Sequence, residues 1–104
     1  MHVELHPDAR VEFRSSALWY DEQRIGWGDE FITEISATLA RVGEWPESFP
    51  TWPGIPDLTP LIRKATIQRF PYVIAFERHE EHVLVLAVAH AKRRPQYWLA
   101  RATR

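Results

Sequence analysis

Residues Val83 to Ala89 read Val-Leu-Val-Leu-Ala-Val-Ala, an apolar run with no polar side chain to mark a solvent face. A helix needs about 20 such residues to cross a bilayer, so the run is far too short for that. It follows the turn signal Glu80-Glu81 and reads as a strand at the centre of a sheet, buried on both faces.

Two further strand signals precede it. Leu61 to Arg69 alternates, with Ile62, Ala65 and Ile67 set among basic residues, and Pro71 breaks it before Tyr72-Val73-Ile74-Ala75-Phe76. At the other end of the chain, Met1 to His6 alternates as a short strand. His6-Pro7-Asp8-Ala9 then starts a helix, with proline in the first turn and an acid near the positive end of the dipole. Ala9, Phe13, Ala17 and Tyr20 form its apolar stripe, and Gly26 closes it. A second helix opens at Gly28-Asp29-Glu30, carries the stripe Phe31, Ile35, Leu39 and Val42 with Ile32 on its flank, and is expected to stop at Gly43. So short a turn makes the two helices an antiparallel hairpin.

Trp45 to Pro60 holds Pro46, Pro50, Pro53, Pro56 and Pro60, so it is an irregular connection, expected to be pinned by Trp45, Phe49 and Trp52. Pro95 to Arg101 reads as a short C-terminal helix. The expected fold is therefore α+β over residues 1–104 as a single domain: an N-terminal strand, then a helical hairpin packed on a predominantly antiparallel sheet of about four strands. The neighbour of the first strand is left open.

Cysteine is absent, which removes a disulfide framework, a thiolate nucleophile and Cys-ligated zinc. Val3-Glu4-Leu5-His6 alternates where a signal sequence would be continuously apolar, and a soluble, cytoplasmic protein is expected. The net charge of −1 hides an asymmetry: eleven acids and four arginines stand up to residue 60, nine bases and three acids beyond it. Such a dipole suits a face that meets an anion, either nucleic acid or an acidic protein segment.

The order of elements, together with several local sequences, resembles the RelE/ParE superfamily of small bacterial toxins, ParE-like plasmid-stabilisation members in particular. The residues that carry the resemblance are Trp19-Tyr20-Asp21-Glu22-Gln23 followed by Gly26-Trp27-Gly28-Asp29-Glu30-Phe31, then Ile62-Arg63-Lys64-Ala65 and Arg69-Phe70-Pro71-Tyr72. Leu86 to Trp98, with His90-Ala91-Lys92-Arg93-Arg94-Pro95-Gln96-Tyr97-Trp98 at its end, is similar to the C-terminal signature. The resemblance implies the toxin of a type II toxin–antitoxin system, held by a cognate antitoxin. Some relatives are mRNA interferases that cut mRNA on the ribosome, and others are DNA gyrase inhibitors; the shared fold does not choose between them. Whether the chain is an enzyme depends on that choice: an endoribonuclease if RelE-like, none if it poisons gyrase. The alternative, from another class, is a non-catalytic interaction module or decayed toxin that keeps antitoxin binding.

For RNA cleavage the chemistry needs a base for the 2′-hydroxyl proton, an acid for the leaving 5′-oxygen and cations for the phosphate. His90, Arg94 and Tyr97 are the candidate catalytic residues, and Arg63, Arg69, Lys92 and Arg93 the candidate nucleic-acid-binding residues. Tyr97 or Trp98 is a candidate platform for a base. Against each stands a plainer role: His90 capping a strand end, Tyr97 and Trp98 sealing the core, Lys92-Arg93-Arg94 forming a solvated turn, Arg63 pairing with a helix carboxylate. RelE-like nucleases resemble one another in placing lysines before the second strand, where this chain has the acidic Pro56-Asp57-Leu58-Thr59-Pro60. Their arginine at the start of the third strand is matched most nearly by Tyr72, with Arg69 close by. A gyrase inhibitor needs only a complementary surface. The antitoxin is expected to bring an acidic amphipathic segment, with Trp19, Trp27 and Trp52 as anchors. No cofactor or metal is expected: His79 and His82 flank Glu80-Glu81 at a hairpin tip, and His2 and His6 share a strand face without a third ligand.

Overall fold

Four strands form one mixed sheet in the order β1-β4-β3-β2. The computed structural model describes residues 1–55 and 59–103, so the Asp57 acid expected before the second strand lies outside the described residues. The strands are β1 (His2–Leu5), β2 (Ile62–Thr66), β3 (Tyr72–Arg78) and β4 (His82–His90), with helices α1 (Pro7–Gln23) and α2 (Trp27–Glu44) between β1 and β2. The apolar strand β4 lies inside the sheet, as its composition requires. Its open neighbour is β1, which runs parallel to it from His2 opposite His82 to Leu5 opposite Val85. The β2–β3 and β3–β4 pairs are antiparallel.

The first helix starts as expected at Pro7, with one addition: the His6 ring accepts the Asp8 N–H at 3.1 Å and caps the helix. Its stripe of Ala9, Ala17 and Tyr20 is buried, with Phe13 packed beside them. α2 follows after three residues, and Asp21 of α1 accepts the Gly28 N–H at 2.8 Å, so one helix caps the other. A Cβ on Gly28 would stand 2.6 Å from the Ala17 carbonyl oxygen; only glycine allows this approach. Gly43, expected to end α2, does something else. The helix continues to Glu44, and Gly43 is buried where a Cβ would meet the Met1 carbonyl and a Val3 methyl at 3.0 Å. It lets α2 lie close to β1.

The hairpin covers one face of the sheet, where Phe31, Ile35, Ile74, Phe76, Val83, Val85 and Val88 are fully or almost fully buried. Ile62, Ala75, Leu86, Ala87 and Ala89 point to the other face, where Trp98 and Trp52 cover them with their rings edge to face at 4.8 Å. A bulge explains how β4 serves both layers. Ala75 pairs with Ala87 and Phe76 with Val85, so Leu86 is the extra residue and the alternation shifts there.

The proline-rich connection also wraps the outer edge of β2. The Trp52 N–H donates to the Ile62 carbonyl at 2.8 Å and the Lys64 N–H to the Pro50 carbonyl at 2.9 Å, which occupies hydrogen-bonding groups that an open edge would expose. Phe49 packs on Phe76 and Trp52 on Trp98, as expected of pins; Trp45 is 66 % exposed and is not one, because it caps α2 on the solvent side. The C-terminal stretch is a series of turns that ends in the 3-10 helix Leu99–Arg101.

Beyond Leu5, β1 no longer covers the edge of β4. Side chains take over there: Glu12 of α1 accepts the Val88 N–H at 3.1 Å, and Arg101 donates to the Leu86 carbonyl at 3.0 Å.

Candidate functional site

At the C-terminal end of β4 a cavity of about 320 Å³ opens on the face turned away from the helices. Lys64 reaches it from β2, His90 from the end of β4, and Arg93, Arg94, Gln96 and Tyr97 from the turns that follow. Trp52 and Trp98 line its inner side. A strand that ends under a run of Lys92-Arg93-Arg94 and then folds back over its own sheet brings these groups together; Trp98, 1 % exposed, anchors the return. That burial answers one expectation directly: Trp98 belongs to the core and presents no free face to a base.

His90 is held at two points. Its Nδ1 accepts the Lys92 N–H at 3.1 Å, and its ring meets Tyr72 edge on at 5.2 Å. In the neutral ring this contact places the proton on Nε2, so the imidazole offers a hydrogen-bond donor. The residue is half-buried and lines the cavity.

Tyr97 is tied differently. Its hydroxyl donates to Glu12 at 2.5 Å, and Glu12 also receives both terminal nitrogens of Arg101 at 3.1 Å. Burial first, then the bond and charge of Glu12, push the Tyr97 hydroxyl well above the usual tyrosine range. The proton stays on the phenol at neutral pH. The guanidinium of Arg93 lies 4.1 Å from the Tyr97 ring centre, so the ring sets where that cation stands.

The remaining candidates divide. Arg94 lines the cavity with Arg93, whereas Lys92 is exposed beside it and engages His90 through its backbone. Arg63 points to the helix side of the sheet and donates to the Phe49 carbonyl at 2.8 Å, so it ties down the connection. Arg69 pairs with Glu30 at 2.8 Å on the surface, and that carboxylate raises its pKa further. Neither arginine lines the cavity; the cation that β2 brings there is Lys64, whose ammonium also lies 5.2 Å from the Trp52 ring centre.

Three participants were not singled out from sequence. Lys64 was visible as a base but not as the one facing the cavity. Gln96 adopts a left-handed conformation, φ 61°, which a non-glycine residue enters only at a cost, and it stands on the cavity wall. The Glu12–Arg101 pair, joining residues at opposite ends of the chain, left no local signal at all.

Elsewhere, His79 and His82 stack ring on ring at 4.7 Å, and His79 pairs with the buried Glu77 at 3.1 Å. The other Glu77 oxygen accepts the Thr103 N–H at 2.9 Å, which fastens the end of the described chain. Among the described residues no group of three metal-ligating side chains stands together, and no helix is long and apolar enough to cross a membrane.

No protein-family model matches the sequence, and no curated protein matches it. A solved structure described as the chromosomal ParDE TA system from P. aeruginosa superimposes with a TM-score of 0.73, over 88% of this chain and 97% of that one, at 12% identity. At that identity the likeness establishes the fold, which is the one that the resemblance to the RelE/ParE superfamily implied.

Proposed function

We propose that this chain is the toxin of a type II toxin–antitoxin pair, acts in the cytoplasm, and uses the cavity at the end of β4 to engage and cut mRNA on the ribosome. One observation carries the reading: Lys64, Arg93 and Arg94 stand around a single cavity with a half-buried imidazole, His90, at its wall. Cations held by stacking and by a fixed turn suit a phosphodiester, whose charge rises as the 2′-oxygen attacks phosphorus and the bond to the 5′-oxygen breaks. In this scheme Arg94 and Lys64 take the phosphate charge and Tyr97 orients Arg93. His90 donates to a phosphate oxygen through Nε2. To take the 2′-hydroxyl proton there, its ring must carry its own proton on Nδ1 and release the Lys92 amide, and the imidazolium so formed returns a proton through water to the leaving 5′-oxygen. Arg63, Arg69 and Lys92 contribute at most through the wider field.

The antitoxin would supply an acidic amphipathic segment. The groove lined by Phe13, Leu18 and Ile32 on the helical hairpin, flanked by Arg10 and Arg14, has the matching chemistry.

A second reading has its own support. Tyr97 donates its hydroxyl to Glu12, and His90 Nδ1 accepts the Lys92 N–H, so two groups suited to proton transfer are already engaged. A toxin that acts by binding DNA gyrase needs neither. Mapping 5′ ends of a reporter mRNA in a purified translation system separates the two. Cuts found only on translated message, and lost with His90→Ala or Arg94→Ala in folded protein, support the nuclease. An intact message together with inhibited gyrase supports the second reading, and inertness in both assays with antitoxin still bound marks a non-catalytic module.

A further inference from the structure

A second cleft, of about 520 Å³, opens on the helix side of His90. Trp19, Tyr20 and Trp27 of the hairpin wall it together with Tyr72, and Ser15 and Ser16 stand at its edge. The rings form a connected series: Trp27 to Tyr20 at 6.3 Å, Tyr20 to Tyr72 at 6.1 Å, and Tyr72 to His90 at 5.2 Å. Trp19 meets Tyr20 edge on at 5.1 Å and remains 53 % exposed; Trp27 is 36 % exposed. Two partly open indoles beside one concave surface leave aromatic area that the fold itself does not use.

This cleft and the cationic cavity share Pro71, Tyr72 and His90 as a common wall. A polymer whose phosphates lie at Arg93 and Arg94 therefore has its neighbouring unit at the aromatic cleft. We propose that the cleft receives one unstacked nucleobase of the RNA whose backbone occupies the cavity, held by stacking against the Trp19 indole, the more open of the two. The inference rests on the nucleic-acid reading given above and adds to it a base subsite on the opposite side of His90. Three features favour a base over an apolar peptide side chain. Apart from Pro71 the apolar lining is aromatic. The Ser15 hydroxyl can meet polar base edges, as can the Ser16 hydroxyl, which accepts from Tyr72 at 3.0 Å and keeps its own proton to donate. The adjoining charge is cationic, as a flanking phosphate requires.

The test is binding of a fluorescently labelled oligoadenylate to the full chain at low salt, with an abasic site moved along the oligomer one position at a time. Stacking of one base predicts a single position at which base removal weakens binding by roughly 5- to 150-fold. Trp19→Ala should weaken the intact oligomer to a similar degree and become indifferent to that position, while Trp19→Phe keeps the discrimination. The abasic series on the unaltered protein needs no variant, so it stands even if a tryptophan substitution disturbs folding. If every abasic oligomer binds like the intact one while Arg94→Ala weakens all of them, the base subsite is refuted and the phosphate cavity stands. Loss of antitoxin affinity in Trp19→Ala with RNA binding unchanged would also refute it, and would make the cleft a protein anchor. If the unaltered protein binds no free RNA at all, the base subsite is refuted, while the cavity reading stands or falls by the cleavage assay on translated message.

Discussion

Tyr97 and Glu12 lie 85 residues apart in sequence, and their side chains meet at 2.5 Å over the edge of β4 that β1 leaves uncovered. Glu12 also accepts from Arg101 and from the Val88 N–H, so one carboxylate joins α1, β4 and the C-terminal turns.

Glu12→Ala should therefore be among the most damaging single changes outside the apolar core. It strands the Val88 N–H and leaves the largely buried Arg101 cation only Asp8 at 3.7 Å and the Leu86 carbonyl. The loss should approach that of a buried pair broken from one side, about 3–5 kcal/mol. Glu12→Gln keeps an acceptor for both and should cost roughly 1–2 kcal/mol. Urea denaturation of the two variants beside the parent measures the difference; equal losses would show that the charge alone matters and would contradict the acceptor role.

The raised pKa of Tyr97 fixes a sign for stability at alkaline pH. The folded state holds the proton more tightly than the unfolded chain, whose tyrosines ionise near 10.0. The stabilisation is complete below that value and is lost as pH rises above it toward the folded pKa. Tyr20, raised chiefly by burial, adds in the same direction. Unfolding free energy should fall above pH 10, less steeply in Tyr97→Phe, and tyrosinate absorbance should lag behind that of a free tyrosine. A Tyr97→Phe profile parallel to the parent's would contradict the assignment.

Arg63 and Lys64 are adjacent and face opposite sides of the sheet, which separates their expected effects. Arg63→Ala removes the bond to the Phe49 carbonyl and should cost about 1–3 kcal/mol of stability while leaving the salt dependence of RNA binding unchanged. Lys64→Ala should change stability little. It should lower the slope of log affinity against log salt by about 0.7, the value for one phosphate contact on a single strand. Reversed results would move the site to the helix face.

Gly28→Ala tests the close approach of the two helices. Alanine is the better helix former by about 1 kcal/mol, yet its methyl carbon would lie 2.6 Å from the Ala17 carbonyl oxygen. The clash should win, with a net loss of roughly 1–3 kcal/mol in thermal or denaturant unfolding. A neutral or stabilised variant would show that the hairpin can open at this point without penalty.

How far the sequence could be read follows from how local each signal is. The hairpin stripes, the central position of β4 and the order of elements depend on periodicities within a few residues, and the structure has them all. Gly43 shows the limit: a glycine near a helix end has the same local appearance whether it stops the helix or lets a strand approach, and only the position of Val3 decides. Arg63 and Lys64 show another. Ile62 and Ala65 on β2 are both buried, on opposite faces, so alternation could not say which cation turns toward the cavity. His90, Arg93, Arg94 and Tyr97 do gather there, because consecutive residues after one strand travel together. Glu12 and Arg101 were beyond reach, since nothing near either residue reports the other.

The pairing of β1 with β4 also sets an order of events during synthesis. β1 is made first among the strands and its partner last, so the N-terminal strand has nothing to pair with until residues 82–85 have left the ribosome. Helices α1 and α2 can form before then, but the sheet that they cover cannot close around its central strand. The contacts of β4 with β1, β3 and α1 must wait for that moment, a topology associated with slow folding and with a nascent chain that exposes its apolar faces for longer.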